Sequence, residues 1–122
     1  MQPYYLNLAK PYSFRRKIMK ATFIYLTAGS MDEAKKIGRE LISNRLAACV
    51  NIIDNMHSMF WWEDEIQEDR EVILIAKTKE SLVTELIDKV KSVHSYDCPC
   101  IVSLPILDGN RAFLDWIARQ TK

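Results

Sequence analysis

The side chains of this 122-residue sequence best equipped for chemistry cluster just before residue 101. Cys98-Pro99-Cys100 sets two thiols two positions apart, so on extended backbone both point to one side. His94 stands four residues before Cys98, at the predicted end of a helix. Two thiolates and an imidazole make a soft donor set suited to Cu(I) or Zn(II). Zinc takes four ligands in a structural site, or three and a water in a catalytic one, and a neighbour's His57 or an acid could complete the shell. The alternative is that Cys98 and Cys100 are small apolar side chains, as free cysteines commonly are. His94 would then be a cation stabilising the carbonyl-rich end of its helix. Cys49, inside an apolar stretch, reads as core.

Other groups invite the same weighing. Glu63, Asp64, Glu65, Glu68, Asp69 and Glu71 form the densest charge run. Such carboxylates could collect hard divalent cations loosely, or could simply keep a hairpin tip from pairing with foreign strands. Met56, Met59, Phe60, Trp61 and Trp62 could be an aromatic cage or a thioether site for copper, but their position on a strand fits packing at a subunit interface better. No Ser/Asp or Cys/Asp arrangement stands near His57 or His94 to activate a nucleophile, and enzymatic chemistry is not expected.

These residues must be positioned by regular elements, and the sequence outlines them. Thr22–Ala28, rich in β-branched and aromatic residues and ending at Gly29, predicts a strand. Ser30 and Glu33 have the spacing of a capping box, and Ala34, Ile37, Leu41 and Ile42 recur at helical spacing to about Asn44. Leu46–Ile53 predicts a second strand, Asp54-Asn55 a bulge or turn, and His57–Trp62 its continuation. A turn around Asp64 leads to a third strand, Ile66–Lys77. Thr78 is a candidate cap for a second helix whose Leu82, Val83, Leu86, Ile87, Val90 and Val93 form one stripe. Residues 94–99 read as a loop, Ile101–Ile106 as a fourth strand, and Phe113, Trp116 and Ile117 as one side of a last helix. The order β-α-β-β-α-β with an extra C-terminal helix predicts an α+β, ferredoxin-like fold, with both crossover helices on one face of an antiparallel sheet.

That arrangement leaves a sheet face to cover. Val72–Ala76 is apolar at both parities, as is most of Phe23–Leu26, whereas a sheet wet on one side should alternate. Two helices cannot shield both faces, so the second is expected to pack on other copies of the chain in a closed cyclic assembly.

Composition narrows the classes further. With 48% hydrophobic residues and only 3 glycines, the chain is neither disordered nor linker-like. No run of apolar residues is long enough to span a bilayer, which predicts a soluble protein with no membrane partner. Three cysteines make no disulfide framework and suit a reducing, cytoplasmic compartment. The net charge of +1 conceals a basic leader: residues 1–20 hold Lys10, Arg15, Arg16, Lys17 and Lys20 and no acid. Residues 21–122 then carry 12 bases against 16 acids, a net charge of −4, which argues against nucleic acid as a partner. The leader lacks a secretory apolar run; it reads as a flexible tail, an upstream start or an organelle presequence, ahead of one domain over residues 21–122.

The motifs Leu46-Ala-Ala-Cys-Val-Asn51, Ser58-x-Phe60-x-Trp62, Lys77-Thr78, His94-x-Tyr96-Asp97-x-Pro99 and Gly109-x-x-x-Phe113-Leu-x-Trp116-Ile117 occur in order. In these the chain resembles the divalent-cation tolerance proteins, the CutA family, over about residues 21–119. The resemblance implies a ferredoxin-like subunit in a homotrimer, with long β2-β3 hairpins extending one another's sheets. It further implies a role in tolerance of copper and other divalent metals without an enzymatic reaction, and no cofactor needed for folding. Copper-binding members are credited with a cysteine near the end of the first strand and two adjacent histidines; those positions fall here near Leu26, on Val93 and on His94. Ser95, Asp64 and Cys100 stand where the family usually has proline, often glycine, and usually glutamate. The candidate metal ligands are therefore His94, Cys98 and Cys100, for copper or another divalent cation. A trimer of this type would also line its inter-subunit clefts with Lys77, Trp62 and Tyr96, donors able to hold a small anion or metabolite, as in signal-type trimers.

Overall fold

The structure, a computed structural model, describes residues 19–122; the expected leader lies, up to residue 18, outside the described residues. Strand β1 (Ala21–Ala28) is followed by helix α1 (Met31–Ser43), strands β2 (Cys49–Trp62) and β3 (Glu65–Lys79), helix α2 (Val83–Val93), strand β4 (Ile101–Pro105) and helix α3 (Arg111–Gln120). The strands form one antiparallel sheet in the order β2-β3-β1-β4. This is the α+β, ferredoxin-like arrangement expected from the sequence.

Local chemistry explains the element ends. The Ser30 hydroxyl accepts the Glu33 amide at 3.1 Å, and the Glu33 carboxylate reaches back to the Gly29 amide at 3.1 Å, so α1 starts on the predicted box. Arg45, in the left-handed region at φ 58°, turns the chain out of α1. The expected strand from Leu46 begins only at Cys49, because the Leu46 and Ala47 amides still bond the Leu41 carbonyl at 2.9 and 3.3 Å. Thr78 is not a helix cap. It remains in β3 opposite Thr22, its buried hydroxyl donating to the Leu46 carbonyl at 2.7 Å, and a single 3-10 turn (Glu80–Leu82) opens α2 with no side-chain cap.

The core lies between the sheet and helices α1 and α2. Ile24, Leu26, Leu74 and Ala76 from the sheet meet Ile37 and Leu41 of α1 and Leu86 and Val90 of α2, all fully buried. Each large side chain here contributes about 1.5–3 kcal/mol by leaving water. Gly38 lets α1 approach the sheet: a Cβ there would stand 3.2 Å from Val50 Cγ1. Helix α3 is fixed by the fully buried Ile117 and by Arg45, whose guanidinium donates to the Gln120 carbonyl at 3.1 Å.

The opposite sheet face is open. Register places Phe23, Tyr25, Ile73, Ile75, Val102 and Leu104 on it, beside Ile53. Ile53, Val102 and Leu104 are 49%, 48% and 47% exposed, a large apolar area without cover among the described residues. Beyond it, Met56–Trp62 pairs with Glu65–Glu71 as a two-stranded ribbon that β1 never reaches, since β1 pairs only with Val72–Lys79. A register shift between Ile53 and Met56, with Asn55 at φ 65°, marks the expected bulge, and Glu63 and Asp64, at φ 51° and 65°, make the expected turn.

Candidate functional site

Where the ribbon leaves the sheet, it and the chain after α2 enclose an open cleft of about 730 Å³. Its walls come from Tyr25 and Thr27 at the end of β1, Trp62, Asp69 and Glu71 of the ribbon, and Tyr96, Asp97, Cys98 and Cys100. Two thiols and three carboxylates thus share one depression. Among the described residues lining it there is no lysine or arginine.

The segment carrying the thiols is anchored at both ends. Ahead of it, the His94 ring is wholly buried, with Nε2 2.7 Å from the Thr27 carbonyl and Nδ1 accepting the Tyr96 amide at 3.1 Å. A backbone amide needs a lone pair and a carbonyl needs a proton, so the ring is the Nε2–H tautomer. Glu33, from the first turn of α1, accepts the Ser95 amide at 2.7 Å. The Tyr96 hydroxyl donates to Glu71 at 2.8 Å, and its ring packs 4.6 Å from that of His94. Gly29 makes room for this tyrosine; a Cβ there would come within 3.3 Å of the phenol oxygen. Beyond the thiols, Ile101 enters the sheet opposite Leu26.

These contacts set the titration of the groups concerned. Burial would raise the Glu33 carboxyl, but hydrogen bonds from Ser95 and Gly29 outweigh it and hold the group below its ordinary value. Burial, then the hydrogen bond to and charge of Glu71, push Tyr96 far up. Burial, Glu71 and Cys98 raise the Cys100 thiol, and burial, Cys100 and Glu71 raise Tyr25.

The structure therefore distributes the sequence-based candidates unevenly. Cys98 and Cys100 are free, exposed thiols lining the same cleft. His94 has both ring nitrogens engaged by backbone and offers no lone pair to a metal. Among the described residues, no three His, Cys, Asp or Glu side chains converge on a point where they could hold a metal ion. The described residues of a single chain thus bring together fewer donors than the four, or three and a water, that a zinc shell takes. Of the expected anion-binding trio, Trp62 and Tyr96 line the cleft, whereas Lys77 lies on the open sheet face, its ammonium bonded to Asn51 and 3.9 Å from Cys49 Sγ. His57, on the ribbon, also lines the cleft and stands 2.9 Å from Glu68. Sequence reasoning missed Glu33 and Thr27 as parts of the site; the capping-box spacing revealed one end of Glu33, but nothing local points to Ser95.

Known proteins share this fold. The family model for the CutA1 divalent ion tolerance protein matches residues 22–120. The divalent-cation tolerance protein CutA of Archaeoglobus fulgidus is 47% identical over 95 residues, which are 78% of this chain and 92% of that protein. Protein CutA 1, chloroplastic, of Oryza sativa subsp. japonica is 41% identical over 99 residues, 81% of this chain; the match spans only 56% of that relative's length. The crystal structure of CutA1 from Oryza sativa superposes with a TM-score of 0.82 at 40% identity, covering 84% of this chain and 94% of that one. The structure of the periplasmic divalent cation tolerance protein CutA from Archaeoglobus fulgidus gives 0.81 at 44% identity, covering 84% and 99%. These names speak of the chloroplast and the periplasm rather than of the cytoplasm expected for this chain.

Proposed function

The chain belongs to the CutA1 divalent ion tolerance family, and from that premise we propose that it is a non-enzymatic, cytoplasmic homotrimer that collects divalent cations, copper foremost, at its thiol- and acid-lined clefts. The observation that carries this reading is the chemistry of the cleft: Cys98, Cys100, Asp69, Glu71 and Asp97 gather there without a lysine or arginine among the described lining residues. Such a lining attracts cations and repels anions. Lys77, on which an anion site would depend, is committed elsewhere in the single chain, so the anion-sensing alternative has less support. Assembly is supported by the open apolar face and by the ribbon, since a two-stranded hairpin alone is marginally stable in water. Three free cysteines fit a reducing compartment.

The test combines sedimentation with elemental analysis of protein purified without chelators. A species of three chains that takes up copper or zinc stoichiometrically is the expected result. A stable monomer, or a trimer that binds no cation at micromolar concentration, refutes the proposal.

A further inference from the structure

The incomplete donor set and the anchored thiols together narrow the ion. A divalent cation such as Zn(II) requires four donors, or three and a water, and the described residues bring no three suitable side chains together. What the chain does offer is a pair of sulfurs on one cleft wall, in a segment held from both sides: the His94, Glu33 and Tyr96 hydrogen bonds before it, and the pairing of Ile101 with Leu26 after it. Pro99 fixes the backbone between them by its restricted φ. Alternation puts Cys100 on the side of the sheet where Val102 and Leu104 lie, and Cys98 lines the same cleft. A soft, monovalent d10 ion tolerates linear coordination by two thiolates and needs no third ligand.

We propose that Cys98 and Cys100 form a two-coordinate thiolate site for Cu(I). This rests on the cation-binding reading above and narrows it to one oxidation state and one pair of ligands. Each thiol releases its proton to solvent as its sulfur bonds the metal, so one bound Cu(I) displaces two protons and leaves a complex of single negative charge. No electron is transferred. His94 is a positioning residue, holding the loop and not the metal. Carboxylates at the cleft mouth, Asp69 and Asp97, add an attractive field for the incoming cation.

The experiment is an anaerobic competition for Cu(I) between the reduced full-length protein and a chromophoric Cu(I) chelator, with X-ray absorption of the loaded protein. One Cu(I) per chain with sulfur-only ligation is expected. The double variant Cys98→Ser/Cys100→Ser should lose more than about 100-fold in affinity, the upper end of what disturbing a ligand's supporting hydrogen bonds alone costs. Cys49→Ser, which lies outside the cleft beside Lys77, should match the wild type. Circular dichroism of the double variant checks that its fold is retained, and each single serine variant gives the same readout should the double variant fail that check. A double or single variant within about threefold of wild type, or nitrogen and oxygen ligation in the spectrum, overturns the assignment. If those variants and the wild type still take up Cu(II) or Zn(II) alike, the dithiol site falls and the proposed function stands; if no protein binds any of the three ions, both fall.

Discussion

Replacing His94 by alanine removes two hydrogen bonds at once, leaving the Thr27 carbonyl and the Tyr96 amide unmatched where the ring was fully buried. The expected cost is about 2–4 kcal/mol, read from urea unfolding at fixed protein concentration; a change indistinguishable from zero contradicts the role given to the ring. Glu33 supports the same loop and imposes a pH dependence. Its carboxyl titrates below its ordinary value of 4.5 in the folded chain, so the stability it adds is present above that value and is lost as pH falls through the folded one. The melting-temperature gap between wild type and Glu33→Gln should therefore shrink on acidification below 4.5, and a gap that stays constant refutes this. At this scale the sequence shows residue types and short spacings well. The two-position spacing of Cys98 and Cys100 suffices to put both on one cleft, whereas the partners of His94 and Glu33 lie 67 and 62 positions away and leave no local trace.

Among the elements, the ribbon offers the sharpest test of local geometry. Its turn sets Glu63 and Asp64 both at positive φ, which is costly for residues with a Cβ. Asp64→Gly relieves that strain but adds freedom to the unfolded chain, for a net gain of about 0.5 kcal/mol. A small rise in thermal midpoint is expected, and a fall would show that the aspartate side chain does more than decorate the turn. The bulge before Met56 matters for the cleft as well. Ahead of it, odd-numbered residues of β2 share the open face with Ile73 and Ile75; after it, even-numbered residues such as Trp62 do so, opposite the same β3 face that bears Glu71 and Asp69. Element order, the bulge and the turn were all legible from hydrophobic period and turn chemistry. Thr78 was misread because its spacing from the Leu82–Val93 stripe suits a cap, while its pairing with Thr22 and its bond to Leu46 depend on distant chain.

For the molecule as a whole, the decisive residues are those the helices leave bare. Val102→Asp or Leu104→Asp puts a charge on the open sheet face without touching the core beneath α1 and α2. In the proposed trimer either change should lower the sedimenting mass to that of one chain at micromolar protein, with the circular dichroism of a folded domain retained. An unchanged trimer would mean that assembly uses another surface. The apolar character of this face was itself visible in the sequence, because Val72–Ala76 is apolar at both parities; which copy would meet which in the proposed trimer, and in what register, depends on shapes that one chain does not encode locally. The ribbon carries a consequence for the cell. Its turn at Glu63 and Asp64 lies beyond the reach of β1, so in the proposed trimer a newly made chain finds no shelter for it among the described residues until it meets its fellows. Solitary chains would be clipped there by proteases while assembled ones are spared, and the yield of finished protein would climb more steeply than the rate of synthesis.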